Sequence, residues 1–167
     1  MTEPLTPPYR PAVERVRELL DYDPSTGLLT WRIDRPMRRA GQVAGGLSNG
    51  YIVVSIDDRR YKAHRIAWML SHGEWPEHFI DHINGTKTDN RIANLRDVPH
   101  RVNMQNIRCA LPSNESGFLG VSPASKRFKA TIRTPNGTLY LGTFSTAEVA
   151  HAAYLTAKRL LHEGCTI

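Results

Sequence analysis

Apolar residues recur at helical spacing at Val13, Val16, Leu19 and Leu20, and Pro11 suits a first helical position, so the pattern predicts a short amphipathic helix over 12–20. The turn-dense run Asp23-Pro24-Ser25-Thr26-Gly27 separates it from a strand candidate at 28–31. From 35 to 50, Arg38, Arg39, Gly41, Gly45, Gly46 and Gly50 interrupt any period and predict an irregular loop. Two β-rich runs, 51–56 and 59–62, flank Asp57-Asp58 and predict a hairpin that leads into a helix over 63–71. Residues 106–117 are turn formers without a period and predict a linker. Beyond it, strands are expected at 118–122, 127–134 and 138–144, with Pro135-Asn136-Gly137 as a tight turn. Ser145-Thr146-Ala147-Glu148 has the form of a capping box, and Ala150, Ala153, Tyr154, Ala157, Leu160 and Leu161 then line one helical face.

Composition narrows the class. At 40% hydrophobic and 23% charged residues the chain is too apolar for a disordered polyelectrolyte, and no apolar run approaches the roughly 18 residues of a membrane helix. Two cysteines, Cys109 and Cys165, are too few for a disulfide framework, and Met1-Thr2-Glu3-Pro4 does not open like a signal peptide, so a cytoplasmic location is expected. The formal charge of +6 points to a polyanionic partner. The excess is most one-sided in residues 112–167, with six cations against three anions.

The candidate chemistry lies in Ile80-Asp81-His82-Ile83-Asn84-Gly85, in Asp89-Asn90-Arg91-Ile92-Ala93-Asn94-Leu95-Arg96 and in Asn103, a D-H-x11-N-x8-N spacing. Over about 51–106 this resembles the H-N-H nuclease family, in its phage and homing-endonuclease branch where the last H is N. The resemblance implies a ββα fold around one divalent metal. It maps Asp81 and Asn103 onto metal ligands, His82 onto the general base and Asn94 onto the residue that ties the loop and orients the histidine. Elementary chemistry agrees: a carboxylate and an amide oxygen suit Mg²⁺ or Mn²⁺ rather than zinc. An imidazole with an ordinary pKa near 6.5 is mostly neutral at pH 7–8 and can take a proton from water. Strand alternation points Asp81 and His82 to opposite sides, so one site can use both only at a twisted or bulged strand end. The family commonly caps its metal-site helix with Thr or Ser, whereas Val98-Pro99 stands here, which leaves Asp97 or water to cap. His64 reads as a buried hydrogen-bonding residue, and Arg65 as a phosphate contact or a solvated side chain. His72, His78, His100, His151 and His162 have no metal-site spacing.

In 127–134 the period is two, with Phe128, Ala130 and Ile132 on one face and Arg127, Lys129, Thr131 and Arg133 on the other; Leu139 and Leu141 are expected inward, Thr138 and Tyr140 outward. Ser116-Gly117-Phe118, Gly120-Val121-Ser122, Tyr140-Leu141-Gly142-Thr143-Phe144 and Ala147-Glu148 look like the Apetala/ethylene-response-factor DNA-binding domain. That resemblance implies a three-stranded sheet in the major groove with a helix behind it. It carries DNA contacts onto Ser122, Lys129, Thr131, Arg133, Thr138 and Tyr140, with Lys126 and Arg127 on phosphates.

The expected protein is therefore α+β. Residues 1–50 extend an H-N-H core at 51–106, 107–117 link it, and 118–164 form a sheet-and-helix DNA-binding domain. The expected activity is metal-dependent cleavage of double-stranded DNA by a phage- or prophage-encoded enzyme. It needs no membrane or small-molecule cofactor, and works as a monomer or weak dimer that nicks one strand per encounter. A DNA-binding regulator without catalysis is the alternative, and RNA as substrate ranks last for want of an aromatic stacking surface.

Overall fold

The computed structural model describes residues 10–34 and 36–167; Met1–Pro4 and Arg35, which entered the reading above, lie outside the described residues. Its secondary structure mixes small antiparallel sheets with helices, and the chain forms two compact units, Met1–Asp97 and Val98–Ile167.

In the first unit α1 (Val13–Leu19) ends where Leu20 turns extended and opens β1 (Leu20–Tyr22). The expected helix is shorter than its apolar period because Leu20 pairs with Trp31 of β2 (Leu29–Trp31), and burying both across a hairpin outweighs one more helical residue. β3 (Gly46–Ser48), β4 (Tyr51–Ile56) and β5 (Arg59–Lys62) form an antiparallel sheet in that order. β3 falls in the stretch expected to be irregular. Gly45, at φ +100°, lets it close on β4, since a Cβ there would lie 2.9 Å from the Ile52 side chain and 3.0 Å from the Val53 carbonyl oxygen. The β4–β5 turn is Asp57-Asp58, both left-handed, as a two-residue hairpin on twisted strands requires. α2 (Ala63–His72) follows directly and stops at Gly73. Val16, Leu19, Leu20, Leu29, Trp31, Val54, Ile56, Ile66 and Met69 make the core.

β6 (Phe79–His82) pairs with β7 (Leu95–Val98), and a turn of 3₁₀ helix, Ile92–Asn94, leads into β7. Ile80 and Leu95 pack with Ala67 of α2, and Tyr22 joins them. Asp97 accepts from the Glu77 and His78 amides at 2.8 and 2.9 Å, which occupies the carboxylate expected to cap the next helix. That helix, α3 (His100–Gln105), has Pro99 at its N-cap and no side-chain cap.

In the second unit β8 (Val121–Ala124), β9 (Arg127–Thr134) and β10 (Gly137–Phe144) form a sheet ordered β10-β9-β8, covered on one face by α4 (Ala147–Leu161). Ala147 and Ala150 pack on Val121, Ala130, Phe128 and Phe144. Thr146 is the N-cap, one residue later than the capping-box reading, and its hydroxyl accepts from the Val149 amide. The turn-rich stretch read as a linker is tied into this unit. Lys158 Nζ, fully buried, donates to the Ile107 carbonyl; Arg108 Nη2 donates to the Thr166 carbonyl at 3.1 Å; and Asn114 Nδ2 donates to Phe118 and Val121 carbonyls at 3.2 and 3.3 Å. The division between units consequently falls before α3 rather than in the turn-rich stretch. Among the described residues no helix is long and apolar enough to cross a membrane.

Candidate active site

His82 is the last residue of β6, and the chain turns at once: the Gly85 amide donates to the His82 carbonyl at 2.8 Å, with Gly85 at φ +76°. The loop that follows is closed by the asparagines. Asn94 accepts from the Asn84 amide through Oδ1 at 2.9 Å and donates through Nδ2 to the Asp89 carbonyl at 2.8 Å, while its own carbonyl accepts from the Ile83 amide at 2.9 Å. Asp89 is held by Arg91 at 2.6 and 2.8 Å, and that pairing lowers its carboxyl to about 2. These are polar groups satisfying one another inside a loop too short for a ladder. Asn94 thus spans the loop and fixes the backbone beside His82.

The side chain bonded to the His82 ring is that of Asn90, whose Oδ1 lies 3.1 Å from Nε2; both residues are buried, at 3% and 5% exposure. An amide oxygen only accepts, so with Asn90 Oδ1 facing it Nε2 would carry the ring hydrogen and Nδ1 would be the basic nitrogen of the neutral ring. Burial lowers the His82 pKa, and the Asn90 hydrogen bond and nearby Asp81 oppose that in part. His64, second residue of α2, stands edge-on to the ring with centroids 5.0 Å apart, and Tyr51 of β4 lies 5.4 Å from His64 and 6.3 Å from His82. Lys62 and Lys87 place ammonium groups 4.2 and 5.0 Å from the Tyr51 ring. Tyr51 and Lys62 also line a cleft of about 370 Å³ with Ser48, Asn49 and Arg60.

Asp81 is 6% exposed, and its Oδ2 accepts from Arg96 Nε and Nη2 at 2.9 and 2.7 Å across the β6–β7 pair. Asp81 thus meets Arg96 while His82 meets Asn90, as neighbours pointing to opposite sides of a strand can. Asn103 is on α3, in the second unit. Among the described residues no cluster of three or more His, Cys, Asp or Glu could hold a metal by itself. A donor set this sparse does not fit a closed zinc cage. Asp81 supplies one buried carboxylate, an oxygen donor of the kind a hard divalent ion takes, and that carboxylate is engaged by Arg96. Asn90, Arg96, Lys62 and Lys87 were not singled out by spacing. Asn90 and Arg96 stand inside the quoted motif, but a sequence does not say which of several asparagines meets the ring.

The sheet of the second unit presents a cationic face. Ser122 pairs with Lys129, Lys129 with Thr143, Thr131 with Tyr140, and Arg133 with Thr138, so these residues and Arg127 project to one side. Lys126 is in the exposed turn before β9. The register shifts between Tyr140 and Gly142, leaving Leu141 as a bulged residue that packs on the core. The shift brings Thr143 to the outer face, where its Oγ1 is 2.7 Å from the Tyr140 hydroxyl. Leu139, expected inward, shares the face of Ile132 yet is 47% exposed, because β10 is an edge strand and Leu139 is near the hairpin tip.

Residues 61–105 match the HNH endonuclease family model, a span that includes α2, β6, β7 and the His82 loop. The match supports an HNH nuclease domain, whose general substrate is DNA and whose members generally use a divalent metal. No curated protein and no solved structure matches the chain.

Proposed function

We propose that the protein is a metal-dependent DNA endonuclease of the phage or homing type, acting in the cytoplasm of a bacterial host, with His82 as general base. The observation that carries this is the placement of His82: buried at the end of β6, with its Nε2 3.1 Å from Asn90 Oδ1, an arrangement that supports Nδ1 as the proton acceptor. Nδ1 takes a proton from the water that attacks phosphorus, and the proton stays on a ring that Asn90 still holds. Asn94 keeps the loop closed and the backbone at Ile83 in place. Lys62 and Lys87 supply positive charge for the phosphate backbone. Asp81 would hold the divalent ion, Mg²⁺ or Mn²⁺, and Asn103 is of the amide type such an ion accepts, its part resting on sequence spacing alone. When bound, that ion would stabilise the charge on the phosphate and on the leaving 3′ oxygen. One base and one candidate ion per chain favour nicking over a double-strand break.

The cationic sheet supports double-stranded DNA binding by the second unit, in the manner of the Apetala/ethylene-response-factor domain, with Arg127, Lys129 and Arg133 on phosphates and Ser122, Thr131, Thr138 and Tyr140 nearer the bases. Replacing Lys129 and Arg133 by alanine should weaken binding and reduce the log–log salt slope by about 2, since each phosphate contact contributes roughly 0.9. Titrations at several salt concentrations measure this, and an unchanged slope removes the sheet from the interface.

The function itself is tested on supercoiled plasmid with Mg²⁺, with Mn²⁺ and with EDTA. Open circles that need the metal are expected. DNA bound in a gel shift but cut with neither metal would instead favour a regulator that retains the nuclease fold.

A further inference from the structure

We propose that the β1–β2 hairpin is a working part of the active site: it holds Asn90, and Asn90 sets the ring orientation and tautomer of His82. The inference rests on the reading of His82 as general base and extends it to residues outside the matched span.

Three contacts carry it. The Tyr22 hydroxyl, at the end of β1, donates to the Asn90 carbonyl at 2.8 Å. Gly27, in the β1–β2 turn at φ +77°, lies against the same backbone: a Cβ there would be 2.5 Å from the Arg91 nitrogen and 2.6 Å from the Asn90 carbonyl carbon, so the turn reaches the loop only as glycine. Asn90 then uses its side chain on His82. The path is short and continuous, hairpin to Asn90 to imidazole, and each link is a hydrogen bond or a backbone packing contact.

The hairpin is built to hold a position. Asp23 accepts from the Ser25 amide at 2.8 Å, the Ser25 hydroxyl at 2.7 Å and the Thr26 hydroxyl at 2.8 Å, and its carbonyl accepts from the Gly27 amide at 2.8 Å. Tyr22 packs beside Ile80 and Leu95, so its ring is anchored on the β6–β7 pair that carries Asp81 and His82. Burial raises the Tyr22 phenol to about 12, which keeps it a donor at any working pH. A buried amide needs some partner in any protein. Here it touches the ring nitrogen opposite the one that does the chemistry, and that makes Asn90 a positioning residue rather than a loop filler.

The test uses the full chain with ¹⁵N-labelled histidine, reading the His82 ring tautomer at pH 8 from long-range ¹H–¹⁵N spectra, assigned by its loss in His82→Ala, beside kcat and KM for plasmid nicking. The wild type should carry hydrogen on Nε2. Asn90→Ala should mix the tautomers and lower kcat by ~10- to 100-fold at unchanged KM, the scale of a misplaced catalytic group. Asn90→Asp, which keeps an acceptor, should restore the Nε2–H form and most of the rate. Tyr22→Phe should fall between, at a loss of about 3- to 10-fold. If Asn90→Ala does not fold, Tyr22→Phe decides, because it removes a single oxygen. A wild-type ring protonated on Nδ1 overturns the proposal, as does a spectrum and rate unmoved by these substitutions. Should the wild type cut no DNA, the nuclease reading fails, while the spectra still decide whether Asn90 and the hairpin hold His82.

Discussion

His82→Ala is expected to lower the rate of DNA cleavage by ~10²- to 10⁴-fold, the usual contribution of a general base. DNA affinity should stay within about twofold, because a group that acts on the attacking water contributes to the transition state and little to ground-state binding. The ring is buried among Tyr51, His64 and Asn90, and its removal leaves the cationic groups at Lys62 and Lys87 in place. Single-turnover cleavage on a defined duplex, measured beside a gel-shift titration, separates the two quantities. A drop in affinity with an unaltered cleavage step would make His82 structural and remove the base from the mechanism.

The second large effect is on acid stability and is independent of catalysis. His64 is held down to about 3, first by burial and then by His82, Lys62 and Arg65. In the unfolded chain an imidazole titrates near 6.5. Between those values the unfolded state binds a proton that the folded state does not, so stability falls as pH drops through 6.5, by about 1.4 kcal/mol per unit and by roughly 4 kcal/mol by pH 3. Above pH 7 both states are neutral at this position and its contribution is flat. His82, shifted in the same direction, adds to the acid slope. The three tryptophans, Trp31, Trp68 and Trp75, all lie in Met1–Asp97, so their fluorescence follows unfolding of that unit. Urea unfolding from pH 4.5 to 7.5 should show the slope in the wild type and a shallower one in His64→Phe. Identical slopes would sink the assignment.

The fold was legible wherever a period ran without interruption. The alternation through Arg127–Thr134, the β-rich runs Tyr51–Ile56 and Arg59–Lys62, and the helical spacing that opens at Ala63 and runs on from Ala150 are observed as strands and helices. Leu20–Tyr22 was not, because Leu20 continues the helical period of Leu19 and only pairing with Trp31 claims it for a strand. Gly46–Ser48 has no period to detect; it is a strand because Gly45 permits close approach to β4. The bulge at Leu141 is equally silent, since one inserted residue alters which side chains share a face without altering composition.

For the site, the resemblance to the H-N-H family named Asp81, His82 and Asn94, because the residue types and intervals that carry it are written in the chain. Their partners are not. That His82 meets Asn90 rather than Asn94, that His64 and Tyr51 lie against its ring, that Arg96 holds Asp81, and that Tyr22 and Gly27 reach Asn90 from a hairpin over 60 residues away all depend on which segments pack together. By itself the sequence determined the basic charge, the nuclease-type spacing and the elements with a clean period, since each is a local or additive property. Tertiary structure alone decided the partner of the His82 ring, its burial and the bracing of the loop, because these follow from distances between residues remote in the chain.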